Sequence, residues 1–124
     1  MERATEEFAL ITCLVVGLSH ILQRRVWTET YVGLHRLGKP GALLNGGLSL
    51  FTGAALVAFH PVWKGLAMAL TILGWMLVLK GAVCFLAPDA ALRSMGKASD
   101  RGFAAGGVVL LIVAAVLGFV LAAT

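Results

Sequence analysis

The chain has 124 residues, of which 60% are hydrophobic and only 13% are charged, and its mean hydropathy is +0.94. Soluble domains are about 45–50% apolar and about 25% charged, so this composition excludes a water-soluble monomer. The net charge is +4, but the basic residues lie in short segments between apolar runs, which argues against nucleic acid as a partner.

Four apolar runs follow one another along the chain, at residues 8–22, 41–59, 66–87 and 103–123. A transmembrane helix needs about 20 mostly apolar residues, so each run has the length of one membrane span or nearly so. The first run is the shortest, and we expect its helix to extend back into residues 4–7. The sequence therefore predicts an all-α bundle of four transmembrane helices, which occupies 1–124 as a single integral membrane domain.

The connection between the first two runs, residues 23–40, has the pattern of an amphipathic helix. At about 100° per residue its apolar side chains share one arc. They are Val26, Trp27, Tyr31, Leu34 and Leu37. Arg25 and Glu29 lie opposite, four residues apart, which allows a weak surface ion pair. We predict a helix that lies in the membrane interface, with Trp27 and Tyr31 as anchors at the headgroup level.

The next connection, residues 60–65, is short enough to force an antiparallel hairpin, and Trp63 within it suits a third headgroup anchor. Lys and Arg concentrate in the other two connections. Residues 23–40 hold four of them and residues 88–101 hold three, whereas only Arg3 and Lys64 lie on the opposite side. Because basic residues in short loops stay in the cytoplasm, we predict that both termini lie outside it.

The two halves of the chain resemble each other, which predicts an internal repeat at about 8–59 and about 66–123. The matched positions are Gly17, Arg24, Leu37-Gly38-Lys39 and Gly46-Gly47 in the first half, and Gly81, Pro88, Met95-Gly96-Lys97 and Gly106-Gly107 in the second. Since each unit is a whole hairpin, both copies are expected to run parallel, related by a pseudo-two-fold axis along the membrane normal.

The second half carries a set of short motifs: Leu77-Val78-Leu79-Lys80-Gly81, Pro88, Arg101, Phe103 and Gly106 to Val109. Over roughly residues 73–120 these motifs resemble the YjeT-like family of small inner-membrane proteins, a two-helix hairpin of uncharacterised function. The family position that matches Lys80 is usually acidic, so no role for this lysine is carried over. The resemblance implies a bacterial inner-membrane location and supplies no catalytic residues.

Lys80 is the most informative polar residue, because a charge at the centre of a membrane helix costs about 3 kcal/mol. It precedes Pro88 by eight residues. Three interpretations stay open: a structural lysine that snorkels or bonds to another helix, an ion or substrate site, and a contact with an acidic lipid or partner subunit. We favour the structural interpretation, since a lysine stem can cover part of the distance to the helix end.

Asn45, Ser49 and Thr52 form a small polar stripe at i, i+4 and i+7 of the second span. Such stripes are typical of close helix packing, although a water-lined path is the alternative, because Asn45 and Lys80 both lie in the inner half.

His20 and His35 belong to the inner side and His60 to the outer surface, so we interpret all three as interface or loop residues. Neither a metal nor another cofactor is expected.

All acidic residues, Glu6 among them, are expected in segments that face water, and no nucleophile with a base and an orienting group is apparent. An enzyme is therefore not expected. Cys13 and Cys84 lie at different depths and should stay separate thiols.

We interpret the chain as a bacterial inner-membrane accessory or interaction protein, whose partners are the lipid bilayer and another membrane protein or a second copy. The alternative is a small ion or solute channel or transporter that works as an oligomer, with a path near Lys80, Asn45 and His20.

Overall fold

The computed structural model describes residues 2–123, which fold into six helices with no strand among them. The helices are α1 (Glu2–Leu22), α2 (Arg24–Arg36), α3 (Lys39–Phe59), α4 (Met68–Leu86), α5 (Pro88–Met95) and α6 (Asp100–Ala122). Four of them, α1, α3, α4 and α6, are long and apolar enough to span a membrane. The protein is thus an all-α, multi-pass membrane protein, which confirms the predicted fold class.

Local sequence explains where the helices begin and end. Gly38 has a φ of 72°, a conformation that a glycine adopts without strain, and Pro40 follows it in the first turn of α3. Pro88 likewise occupies the first turn of α5. At the start of α6 the Ser99 hydroxyl accepts a hydrogen bond from the Gly102 backbone N–H at 3.0 Å. These breaks place two short helices, α2 and α5, at one end of the bundle.

The bundle has two ends of different character. The basic end is formed by residues 23–39 and 87–99, and the terminal end is formed by residues 2–7, 60–67 and 118–123.

Helix α2 was predicted from its pattern, and the exposed Arg25–Glu29 ion pair at 3.4 Å confirms the i, i+4 spacing. Helix α5 was not predicted, because its eight residues are too few for a visible hydrophobic period.

The spanning helices pack as two pairs, α1 along α6 and α3 along α4. Within the described chain, α1 and α3 make few contacts with each other, and the same is true of α4 and α6. The two spans of each predicted repeat, α1 with α3 and α4 with α6, are therefore not packing partners. Each helix pair instead joins one span from each half, so exchanging the two halves turns the α1–α6 pair into the α4–α3 pair. The internal repeat stays a prediction.

Glycines let the backbones of each pair approach closely. A Cβ on Gly107 would lie 2.7 Å from the Gly17 carbonyl oxygen, and a Cβ on Gly53 would lie 2.6 Å from the Gly74 carbonyl oxygen. Both distances are far below van der Waals contact. Close backbone packing of this kind is how small residues associate helices where lipid provides no hydrophobic drive.

The interior is divided into two apolar clusters. The larger one fills the terminal half of the bundle with Ala9, Cys13, Leu56, Leu70, Val113, Ala114 and Leu117. The smaller one holds Ala42, Cys84, Ala91 and Met95 at the basic end. Cys13 and Cys84 belong to different clusters and are free thiols, which confirms that they stay apart.

Candidate functional site

A cavity of about 640 Å³ opens between α4 and α6 in the basic half of the bundle. We call it the α4/α6 groove. Its walls come from Met76 to Cys84 of α4, from Gly102 to Gly106 of α6 and from α5, with Tyr31 and Asn45 behind them. The groove exists because α4 and α6 belong to different helix pairs and scarcely meet.

Lys80 projects into this groove and is held by a chain of two hydrogen bonds. Its ammonium donates to the Tyr31 hydroxyl at 2.6 Å, and that hydroxyl donates to Asn45 Oδ1 at 3.1 Å. The structure therefore brings together Lys80 and Asn45, with Tyr31 of α2 between them. Three helices are joined by this chain, α4 through Lys80, α2 through Tyr31 and α3 through the buried Asn45.

The position of Lys80 keeps its charge within reach of water. It precedes the last residue of α4, Leu86, by six residues, about 9 Å along the axis at 1.5 Å per residue. Its ammonium also lies 5.2 Å from the centre of the Tyr31 ring, a distance at which cations and aromatic rings attract each other. Lys97 also lines the groove. Among the described residues, no Asp or Glu lines it.

An aromatic cluster fixes α2 against the bundle beside the groove. The Trp27 indole N–H donates to Ser19 Oγ at 2.9 Å, and its ring lies 4.1 Å from that of His20. Phe103 of α6 is next to both rings and meets Tyr31 edge-on at 4.9 Å. Trp27 and Tyr31 are thus partners of the bundle, and their predicted contact with lipid headgroups stays a prediction.

The remaining predicted site residues lie apart from this arrangement. Ser49 is buried between helices, whereas Thr52, on the same predicted stripe, is exposed. Trp63 is exposed at the terminal end, 55% accessible, and its anchoring role stays a prediction. His35 approaches Gly96 rather than His20. Across residues 2–123, no group of three or more His, Cys, Asp or Glu residues is placed to hold a metal.

A second polar cluster, which the sequence did not predict, is buried at the terminal end. His60 Nε2 lies 2.6 Å from Glu6 Oε2, and His60 Nδ1 lies 3.0 Å from Thr71 Oγ1. The predictions that Glu6 faces water and that His60 is a surface loop residue are therefore wrong, since Glu6 is 8% accessible and His60 is fully buried. Each side chain gives the other a hydrogen-bond partner, which offsets part of the cost of burying it.

The hydrogen bonds of Thr71 determine which nitrogen of His60 carries a proton. The Thr71 hydroxyl lies 2.9 Å and 2.7 Å from the carbonyl oxygens of His60 and Val62, and because carbonyl oxygens only accept, its single proton is directed towards them. Its oxygen therefore accepts from His60 Nδ1–H. The Glu6 carboxyl faces Nε2, the other nitrogen of the same ring.

Helical spacing could have revealed Glu6. The buried residues of α1 are Glu6, Ala9, Cys13 and Gly17, which share one face at i, i+3, i+7 and i+11. Extending the small-residue face of α1 towards the N-terminus reaches Glu6. His60 and Thr71 offer no such signal, because their burial depends on how the α3–α4 connection folds.

No protein-family model matches the chain, and neither does any curated protein or solved structure. The resemblance of the second half to the YjeT-like family stays a prediction.

Proposed function

We propose that this protein is a non-enzymatic accessory protein of a bacterial inner membrane that binds another membrane component in the α4/α6 groove. The observation that carries this proposal is a groove with cationic residues at the basic end and apolar walls between two helix pairs. Its volume, about 640 Å³, falls in the range of roughly 300–1,000 Å³ that is typical of ligand sites.

The interior of the bundle favours binding over passage. The larger apolar cluster fills the terminal half, and Leu70 and Leu117 within it are fully buried. A solute that entered the groove from the basic end would meet this packed layer before reaching the other side. The groove therefore does not continue through the terminal half of the bundle.

The proposal includes an orientation in which the basic end lies in the cytoplasm and both termini lie outside it. Seven Lys and Arg residues in the first and third connections, against Arg3 and Lys64 on the other side, support this orientation. The groove then opens towards the cytoplasmic leaflet of the bilayer.

Site-specific photo-crosslinking in cells tests whether the groove binds a component. A photoreactive residue at Leu79, which lines the groove and is 67% accessible, should give a discrete crosslinked product. The matched control is Leu48 of α3, which is 75% accessible but lies outside the groove. If both positions give the same products in the same yields, the groove is not a binding site.

A small ion or solute transporter that works as an oligomer is the second candidate function. The observation that favours it is the buried Glu6–His60–Thr71 cluster, which adds polar groups in the terminal half where passage would need them. Reconstitution into liposomes tests this candidate. Flux of protons or small ions that depends on Glu6 and Lys80 would replace the accessory function with transport.

A further inference from the structure

We propose that the α4/α6 groove binds an acidic phospholipid, with the lipid phosphate between Lys80 and Lys97 and an acyl chain along the apolar walls. This inference rests on the proposed function and names the chemistry of the bound component. It follows from the charge of the groove, the free donors of Lys80, the apolar walls and the lateral opening.

The charge of the groove suits an anion held close to the headgroup level. Lys80 and Lys97 both line it, and the described lining holds no carboxylate that would neutralise them. Basic pockets between transmembrane helices on the cytoplasmic side are the usual sites for acidic lipid headgroups. A zwitterionic phospholipid has the same phosphate but brings a cationic group of its own, so it would leave the net positive charge of the groove unchanged.

Lys80 has donors to offer to such a phosphate. An ammonium group has three N–H donors, and in the described structure one of them is directed to the Tyr31 hydroxyl. That bond orients the ammonium towards the groove and leaves two donors for an anionic oxygen. The beginning of α6 lies at the same end, where Ser99 and Gly102 line the groove, and the positive end of a helix dipole favours anions.

The walls of the groove suit an acyl chain. Val83 of α4 and Phe103 of α6 line the groove near the basic end, and Met76 and Leu79, which precede Lys80 in α4, line it on the other side of Lys80, so the part beyond Lys80 is apolar. Because α4 and α6 barely touch, the groove opens sideways into the region that lipid chains occupy. A lipid can therefore enter without opening the bundle.

A second copy of this chain fits the groove less well than a lipid does. The carboxylates of the spanning helices, Glu2, Glu6, Glu7 and Asp100, all lie in the first two turns of α1 or α6. A docked helix would thus bring no acid to the depth of Lys80. Close helix packing also needs small residues, whereas this part of α4 presents Met76 and Leu79.

The test is lipid binding by the purified full-length protein in detergent, counted by native mass spectrometry. Phosphatidylglycerol should bind at one site about tenfold more tightly than phosphatidylcholine with the same acyl chains. Lys80→Met and Lys97→Met should each weaken phosphatidylglycerol binding by about three- to tenfold and leave phosphatidylcholine binding unchanged. Lys39→Met is the matched control, because Lys39 is an exposed lysine at the basic end that does not line the groove.

Thermal unfolding of each variant shows whether it is folded, and Lys97→Met, at an exposed loop position, keeps the test valid if Lys80→Met is unstable. Equal binding of the two lipids, or unchanged binding in both groove variants, would overturn the lipid assignment. Inorganic phosphate that binds as tightly as phosphatidylglycerol would also overturn it and identify a site for soluble anions.

The crosslinking and lipid-binding experiments together distinguish failure of the proposed function from failure of the lipid assignment. A protein crosslinked to Leu79, with no preference for phosphatidylglycerol, would retain the binding function and overturn only the lipid. Leu79 products identical to those of Leu48, with no preference for phosphatidylglycerol, would overturn both.

Discussion

Both ring nitrogens of His60 are hydrogen-bonded inside the protein, one to Glu6 and the other to Thr71. The other two carboxylate pairs that the structure records, Arg3–Glu7 and Arg25–Glu29, are exposed and contribute little to stability. In the Glu6–His60 pair, by contrast, both side chains are buried, so each depends on the other for the hydrogen bond that water would otherwise supply. It therefore ties the start of α1 to the connection between α3 and α4.

Replacing Glu6 should be far more damaging than replacing its neighbour Glu7. Glu6→Ala leaves His60 Nε2 buried without its partner, at a cost of about 1–3 kcal/mol. Glu7→Ala is the matched control, because the Glu7 side chain is 55% accessible and pairs only on the surface. Thermal unfolding in detergent measures both variants, and equal stability would show that the buried pair does not hold α1 in place.

The hydrogen-bonded chain at Lys80 predicts an order of importance among its members. Lys80→Met removes one bond but leaves Tyr31 bonded to Asn45, so we expect a loss near 0.6 kcal/mol, an average value for bonds between membrane helices. Tyr31→Phe removes both bonds and leaves the buried Asn45 oxygen without its donor, at a cost of about 1–3 kcal/mol. The unfolding temperatures of the two variants in detergent provide the comparison. A greater loss in Lys80→Met would contradict the central role of Tyr31.

At the scale of whole helices, stability depends on which glycine of a pair faces the neighbouring helix. Gly106 and Gly107 are adjacent in α6, yet a Cβ on Gly107 would collide with the Gly17 backbone, whereas a Cβ on Gly106 would be 3.9 Å from its nearest neighbour, His20. Gly107, and not its neighbour Gly106, makes the close contact with α1.

Gly107→Ala should therefore separate α1 from α6 and cost about 1–3 kcal/mol, as overpacking does. Gly106→Ala, a methyl group one position away, should leave stability within about 0.5 kcal/mol of the parent protein. Unfolding of both variants in the same detergent decides the matter. Similar losses in the two variants would mean that the α1–α6 contact is looser than described.

Hydropathy and length were sufficient to predict the four spanning helices, because a membrane requires about 20 apolar residues wherever it is crossed. The periodicity of residues 23–37 predicted a helix there, and α2 is that helix. Three of the five residues on its apolar arc pack on the bundle, whereas Val26 and Leu37 are exposed, and its place in the membrane interface stays a prediction. Which helices pair could not be predicted, since pairing depends on the register of glycines across helices and not on average hydropathy.

The groove was only partly accessible to sequence reasoning. Lys80 and Asn45 were recognisable because polar groups are costly within apolar runs. Tyr31, which joins them, was assigned to lipid because nothing in its own segment indicates that α2 folds back over the bundle. A contact between residues 49 positions apart leaves no local pattern.

At the scale of the whole molecule, the distribution of basic residues predicts which end faces the cytoplasm. A cysteine at Lys64, an exposed position of the terminal end, should react with a membrane-impermeant thiol reagent added to intact cells. A cysteine at Gly33 of α2, where a new Cβ would point into open space, should react only after the cells are opened. The native cysteines are buried and can stay in place. The opposite labelling pattern would reverse the orientation.

Pairing the first helix with the last has a consequence for how the protein is made. About 78 residues separate the end of α1 from the start of α6, which corresponds to roughly 4–16 s of translation at 5–20 residues per second. During that interval α1 is in the bilayer without its packing partner, and Glu6 waits for His60, 54 positions later in the chain. The α3–α4 hairpin is the first unit able to assemble. A ribosome that stops before α6 therefore releases a chain whose first helix lacks its main packing partner, a form that membrane quality control is expected to degrade.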